Sequence, residues 1–352
     1  MSEHRELEHG GRLRQAAVRY GIAPCDWLDL STGVNPNGWP VPPIPAKVWS
    51  CLPENDDGLE SAARAYYGTQ HLLPVAGSQA AIQALPYLRP RSRVAVIAPS
   101  YNEHAHAWCR AGHHVSAVTA EQIEAEVPKV DVLVIVNPNN PTGMNFTTHQ
   151  LLAWHAQIAA RSGWLVVDEA FMDATPEASL APYSPRPNLI LLRSLGKFFG
   201  LAGARVGFAL AEQELLAQLR ARLGPWAVNG PARFVATHAL MDTTWQHGTR
   251  THLMHDGQRL TLLLKRYGLV PDGGCAHFQW VRTARAAELH EQLAQRHIFT
   301  RLYTQPASLR FGLPGNTENW MRFERALGEI TPASCRAPTT IKSRMKGARH
   351  DN

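Results

Sequence analysis

With 352 residues, 45% of them apolar and 18% charged, the chain is long enough to bury a full core in two domains. Its formal charge of +6 does not mark a nucleic-acid face. Arg336, Lys342, Arg344, Lys346 and Arg349 crowd the last stretch of chain, with Asp351 alone in opposition. The five cysteines (Cys25, Cys51, Cys109, Cys275 and Cys335) never fall as Cys-x-x-Cys, and apolar runs such as 130–136 stop at strand length. Neither a disulfide framework, nor a metal site, nor a membrane span is expected, and the polar N-terminus lacks the apolar stretch of an export signal. The expectation is a cytoplasmic enzyme with no membrane or nucleic-acid partner.

In chain order, the opening segment 1–41 is too rich in Gly, Pro and Asn to form a layer, and reads as an arm over a domain junction. From 42 to 230, short β-branched runs alternate with helical patterns. Strands are predicted at Arg93–Ala98, Val115–Thr119, Val130–Val136, Leu165–Val167, Leu189–Leu192 and Val206–Leu210, with a helix at His149–Arg161. Strands that are apolar throughout are buried on both faces, which means an α/β domain with a mainly parallel sheet covered by helices. Ligands of such sheets gather in the loops after the carboxyl ends of the strands. From 231 to 330 a smaller α+β domain is predicted. It has a long helix over about 233–267, strands at 276–281, near 298–301 and at 309–311, and helices at 286–296 and 317–327. Residues 331–352 read as a polar, proline-broken basic tail, expected to be disordered.

Five motifs carry the chemistry. Ala76-Gly77-Ser78-Gln79 is a small-residue turn entering a helix, whose free backbone N–H groups suit a phosphate, although many helices begin with Gly-Ser. Pro99-Ser100-Tyr101, with His104 one turn on, offers an aromatic face, although ordinary core packing would normally account for such a motif. Asn137-Pro-Asn139-Asn140-Pro-Thr-Gly143 sets three side-chain amides in one turn. Asp168 ends a buried strand, where a carboxylate is costly without a cationic partner. A protonated pyridine nitrogen is one such partner; capping the next helix is the plainer alternative. The fifth is Ser194-Leu-Gly-Lys197, with Arg205 eight residues on. Lys197 is one of only six lysines, and an aldehyde cofactor with a phosphate tail needs an amine together with a hydroxyl and a guanidinium.

In chain order these motifs resemble the fold type I pyridoxal-phosphate enzymes of the aminotransferase class I/II group, over roughly Trp27 to Leu327. The resemblance implies pyridoxal 5'-phosphate as cofactor, Lys197 as the catalytic amine that bonds its aldehyde, and Asp168 at the pyridine nitrogen. It places Asn140 at the ring's phenolic oxygen and Tyr101 on the ring face, a role His104 could share. Ser78, Gln79, Ser194 and Arg205 would surround the phosphate. A homodimer is implied as well.

Features outside those motifs choose the branch. His9-Gly10-Gly11-Arg12, Asn35-Pro36, Phe299-Thr-Arg301 and Ser308-Leu-Arg310 are similar to the threonine-phosphate decarboxylases of cobalamin biosynthesis. That similarity implies His9, Gly10, Asn35, Asn140, Arg301 and Arg310 as contacts for a small phosphorylated amino acid, whose two anions suit two arginines. Phe171 stands where aminotransferases usually have a tyrosine reaching the phenolic oxygen, which counts against simple transamination. Leu52-Pro53 replaces the Tyr-Pro that reaches the partner subunit's cofactor phosphate. The implied reaction is decarboxylation of O-phospho-L-threonine. Histidinol-phosphate aminotransferase is the nearest rival, and a non-catalytic cofactor-binding partner of a cobalamin enzyme is the rival of another class.

Overall fold

The computed structural model of the protein describes residues 10–331, so His9 and the basic tail from 332 onward lie outside the described residues. The first eight strands are β1 Leu28–Asp29, β2 Leu72–Val75, β3 Arg93–Ile97, β4 His114–Val118, β5 Val132–Val136, β6 Trp164–Asp168, β7 Leu189–Ser194 and β8 Gly207–Leu210. Seven of them form one sheet in the order β2-β8-β7-β6-β5-β3-β4. Pairing is parallel from β7 across to β4, while β8 runs antiparallel to both neighbours.

The continuous apolar runs follow from burial on both faces. In β5, Val132 and Val134 pack with Trp108 and Ile82, whereas Leu133 and Ile135 pack with Leu151 and Trp154 on the opposite side. Each fully buried side chain of this kind contributes roughly 1.5–3 kcal/mol, so neither face tolerates a polar residue without a partner. The helix Thr148–Ala159 covers one face, and its start is fixed by Thr147, whose hydroxyl accepts from Gln150 N at 3.2 Å.

Two sequence expectations change. Strand β2 was hidden by Pro74, which removes a ladder donor; as an edge strand, β2 accommodates it. The single helix expected over 233–267 is two helices, Gly230–Met241 and Thr243–Arg266. Asp242 ends the first and caps the second, accepting from Trp245 N at 3.0 Å, while its other oxygen accepts from Trp39 Nε1 in the arm.

The remaining strands are β9 Gly273–Cys275, β10 Phe278–Arg282, β11 Ile298–Phe299, β12 Arg301–Thr304 and β13 Ala307–Gly312. An antiparallel sheet runs β12-β13-β10-β9, and β1 of the arm pairs in parallel with β11. Leu30 continues the seam, donating to Phe299 O and accepting from Gly312 N. The arm is therefore stitched to the small sheet by backbone hydrogen bonds rather than by side chains alone. Among the described residues no helix is long and apolar enough to cross a membrane.

Candidate active site

Strands β3, β5, β6 and β7 are parallel neighbours, so the loops after them open on one edge of the sheet. Those loops carry Tyr101, Asn140 and Lys197, and Asp168 closes β6 at the same edge.

Asp168 is buried at the end of β6. Its Oδ2 lies 2.9 Å from His104 Nε2, and its Oδ1 accepts from Ala170 N at 3.0 Å. His104 is buried too, so the imidazole orients the carboxylate from beneath while Tyr101 meets His104 edge-on at 6.1 Å. The Tyr101 hydroxyl donates to Gln79 Oε1 at 3.1 Å, and Gln79 Nε2 donates to Glu103 at 2.7 Å. The Gln79 side chain thus braces the aromatic plate.

The other end of the site is built by close backbone approach. Ser194 in β7 lies opposite Gly207 in β8, and a Cβ on Gly207 would sit 2.5 Å from Ser78 N. A Cβ on Gly77, whose φ is +69°, would sit 2.6 Å from Arg205 Nη2. Only glycine lets this turn, the serine hydroxyl and the guanidinium share one small volume. Ser78, Ser194 and Arg205 therefore converge on a cradle suited to a phosphate, beside the Gly77 turn.

In the asparagine turn, two amides are spent on the loop itself. Asn137 exchanges hydrogen bonds with Phe146, and Asn139 holds Ser100, Pro99 O and Thr142. Asn140 points elsewhere: its Oδ1 accepts from Arg310 Nη1 and, at 3.5 Å, from the Tyr303 hydroxyl.

Lys197 is half-buried above the Phe171 ring, with Nζ 5.4 Å from its centroid. Burial first, and the Arg310 and Arg205 charges after it, press its amine down to about 8 against the pull of Asp168. Asn35 holds the same turn in place. Its backbone N–H donates to Lys197 O at 2.9 Å and its Nδ2 to Phe198 O at 2.9 Å, and its Oδ1 accepts from Asn37 N. Phe171 is fixed by Gly33, where any Cβ would come within 2.8 Å of the ring, and by Phe278 and His277 at 5.2 and 5.4 Å.

The small sheet supplies the cations. Arg301 pairs directly with Arg310 across β12 and β13, so both side chains leave the same face. Arg310 donates Nη2 to Ser31 O at 2.7 Å and Nη1 to Asn140, while its buried Nε has no partner among the described residues. Ser31 is itself held by Asp29, and Gly10 presses against its carbonyl so closely that a Cβ would lie 2.4 Å away. Arg301 lies over the Tyr303 ring at 5.1 Å and lines a groove of about 550 Å³ with Gly10, Arg12, Ser31 and His290. Nothing comparable exists for a metal: among the described residues no group of three or more His, Cys, Asp or Glu could hold one.

An amine, a buried acid and a phosphate cradle along one sheet edge fit pyridoxal phosphate in donor type. A family model described as aminotransferase class I and II matches residues 52–327. The chain belongs to that family. It is 57% identical to the curated threonine-phosphate decarboxylase of Pseudomonas aeruginosa over 91% of this chain and 97% of that one. It is 41% identical to the threonine-phosphate decarboxylase of a Sinorhizobium species over 92% and 98% of the two chains. Among solved structures, histidinol-phosphate aminotransferase from Sinorhizobium meliloti, in complex with pyridoxal-5'-phosphate, superposes with a TM-score of 0.75. The superposition covers 94% of this chain and 97% of that one at 21% identity, and shows the shared fold.

Sequence reasoning passed over five residues. Ser31 and Tyr303 carry no motif, because they act by backbone carbonyl or by reach from a neighbouring strand. His277 and the Glu169–Arg193 pair did leave a signal, as polar residues inside otherwise apolar runs.

Proposed function

We propose that this protein is a pyridoxal-phosphate-dependent decarboxylase that converts O-phospho-L-threonine to (R)-1-amino-2-propanol O-2-phosphate and carbon dioxide. The observation that carries the reading is the Arg301–Arg310 pair on one face of the small sheet, with Arg310 held on Asn140 and its charge felt by Lys197. A substrate with both a carboxylate and a phosphate matches two guanidinium forks better than one. The strong identity to threonine-phosphate decarboxylases supports the same substrate, and the product suits the aminopropanol linker of cobalamin.

When bound, the cofactor supplies an electron sink for the pair left behind as the bond from the α-carbon to the carboxylate breaks. Asp168, oriented by His104, holds the proton on the pyridine nitrogen. Asn140 donates toward the phenolic oxygen alone, since Phe171 offers no hydroxyl. Ser78, Gln79, Ser194 and Arg205 hold the phosphate, the turn at Gln79 by its backbone, and Tyr101 covers the ring. Arg301 and Arg310 hold the two substrate anions, with Gly10 lining the groove beside Arg301. The substrate roles of His9 and Asn35 rest on the resemblance alone, since His9 lies outside the described residues and the Asn35 amide is engaged by Phe198 O and Asn37 N. Lys197 Nζ, its amine pressed down to about 8, would then deliver a proton to the α-carbon, so that hydrogen takes the place of carbon dioxide.

Residues 42–230 and 231–330 act as large and small domains, with the described part of the arm, 10–41, across their junction. A homodimer is part of this reading. Trp49, Leu52 and Trp226 are large apolar side chains left exposed on adjoining segments, Gly230 lying against the carbonyl of Val48. The compartment is the cytoplasm. The purified protein is expected to release carbon dioxide from phosphothreonine with no keto-acid acceptor. Acceptor-dependent turnover of histidinol phosphate, without that release, would refute the reading.

A further inference from the structure

Glu169 follows Asp168 directly, and Arg193 directly precedes Ser194. Successive strand residues face opposite sides of a sheet, so Asp168 and Ser194 share one face while Glu169 and Arg193 share the other. The core agrees. Val166 and Leu192, in phase with Asp168 and Ser194, pack in one cluster, and Val167 and Leu191 pack in the other.

On that rear face, Arg193 Nη1 donates to Glu169 Oε2 at 2.5 Å and to Ser179 Oγ at 3.1 Å, and Nη2 donates to Asp173 Oδ1 at 2.5 Å. Glu169 also accepts from the Ser179 hydroxyl and from Leu180 N, at 2.6 and 2.7 Å. Asp173 accepts from the Tyr66 hydroxyl at 3.1 Å, and the guanidinium lies 4.7 Å from the Tyr67 ring centroid. Arg193, Glu169 and Asp173 are almost wholly hidden from solvent.

A buried ion cluster is a weak source of stability, since apolar residues of equal volume often serve as well. Its distinctive property is direction: a rigid fork with two carboxylate partners fixes the spacing of the backbones that carry them. We propose that Arg193, with Glu169 and Asp173, is a positioning set that clamps β6 to β7 from behind. It fixes Asp168 and Ser194 on the front face at the spacing that the pyridine nitrogen and phosphate of one cofactor require. The inference rests on the cofactor reading above.

The test is a titration of the full-length apoprotein with pyridoxal phosphate, read by absorbance and by quenching of intrinsic fluorescence. Two variants are compared with the unaltered protein. The triple substitution Arg193→Met, Glu169→Gln, Asp173→Asn removes the charges together and leaves none unpaired. Arg193→Lys keeps the charge and removes the fork. Both are expected to weaken cofactor Kd roughly tenfold or more, on the scale of losing a supporting contact beneath a ligand-holding residue. Leu260→Ala, a cavity in the core at a fully buried position of the helix Thr243–Arg266, should lower Tm and leave Kd unchanged. Unaltered Kd in Arg193→Lys overturns the clamp, as does an equal loss of affinity in Leu260→Ala. Failure of the unaltered protein to take up pyridoxal phosphate overturns the cofactor reading, and the clamp with it.

Discussion

The two halves of the site are built differently. The half around Asp168, Ser194 and Lys197 stands on neighbouring parallel strands, and each residue sits where its own short motif sets it. The half around Arg310 is assembled from afar. Ser31 lies 279 positions away in sequence and Asn140 lies 170 away, yet both bind the same guanidinium. A rigid sheet edge suits a cofactor, which stays. A seam between an arm and a second sheet suits a substrate, which must enter and leave.

The sharpest way to break this division is Lys197→Ala. Removing the amine should abolish phosphothreonine decarboxylation by on the order of 10³-fold or more, while Tm of the apoprotein stays level or rises, since a half-buried ammonium is lost. Carbon dioxide release and thermal unfolding measured on one preparation decide it. A variant with more than a tenth of normal activity would remove Lys197 from the mechanism.

Arg310→Gln tests the other half. If Arg310 holds a substrate anion as proposed, losing this buried cation costs about 2–5 kcal/mol, or roughly 30- to several-thousand-fold in kcat/KM. The same change has a signature in the first half. Arg310 is one of the charges holding Lys197 at about 8, so its removal raises that value toward the ordinary 10.5. The rate at which apoprotein reacts with pyridoxal phosphate follows the unprotonated amine. Its midpoint, near pH 8 in the parent, should therefore move upward in the variant. A fixed midpoint would mean that the two halves are electrically independent.

This contrast also explains what the sequence made legible. The sheet was readable because β5, β6 and β7 are buried on both faces and share unbroken runs of Val, Leu and Ile, at 132–136, 165–167 and 189–192. Lys197, Asp168 and Asn140 stood out as candidates because strand ends and dense turns leave local marks. Asn35 shows the limit. An Asn-Pro turn says that a turn exists, but not that its amide braces Phe198 O, 163 residues away. Pro74 hid an edge strand for a similar reason, since edge position is a property of the whole sheet. The departure at Phe171 was visible in sequence, yet its cause, Gly33 and Phe278 closing around the ring, is tertiary.

Arg301→Gln sharpens the comparison at smaller cost. Arg301 is only half-buried on the groove side of the pair, so the ion pair with substrate proposed for it would be partly screened. A rise in KM of about 10- to 100-fold with cofactor affinity unchanged is expected from steady-state kinetics and apoprotein titration. An equal loss of cofactor affinity would show that the small sheet shapes the cofactor half too.

The smallest effect concerns His277, at the junction of the halves. Its ring is buried against Phe171, neither ring nitrogen has a hydrogen-bond partner among the described residues, and burial with the Lys197 charge depresses its proton affinity to about 3. The unfolded chain binds a proton there below about 6.5, and the folded chain does not until about 3. Stability is therefore full above pH 6.5 and is lost as pH falls through that window, by up to about 1.4 kcal/mol per pH unit. His277→Leu removes both the orphaned nitrogens and the linked proton. Urea unfolding at pH 7 should show the variant equal or more stable by about 1–2 kcal/mol. Between pH 6 and 4 its stability should fall less steeply than that of the parent. Parallel curves would mean that His277 finds a proton-compatible partner in solution, and that the Phe171 wall is more open to water than its packing indicates.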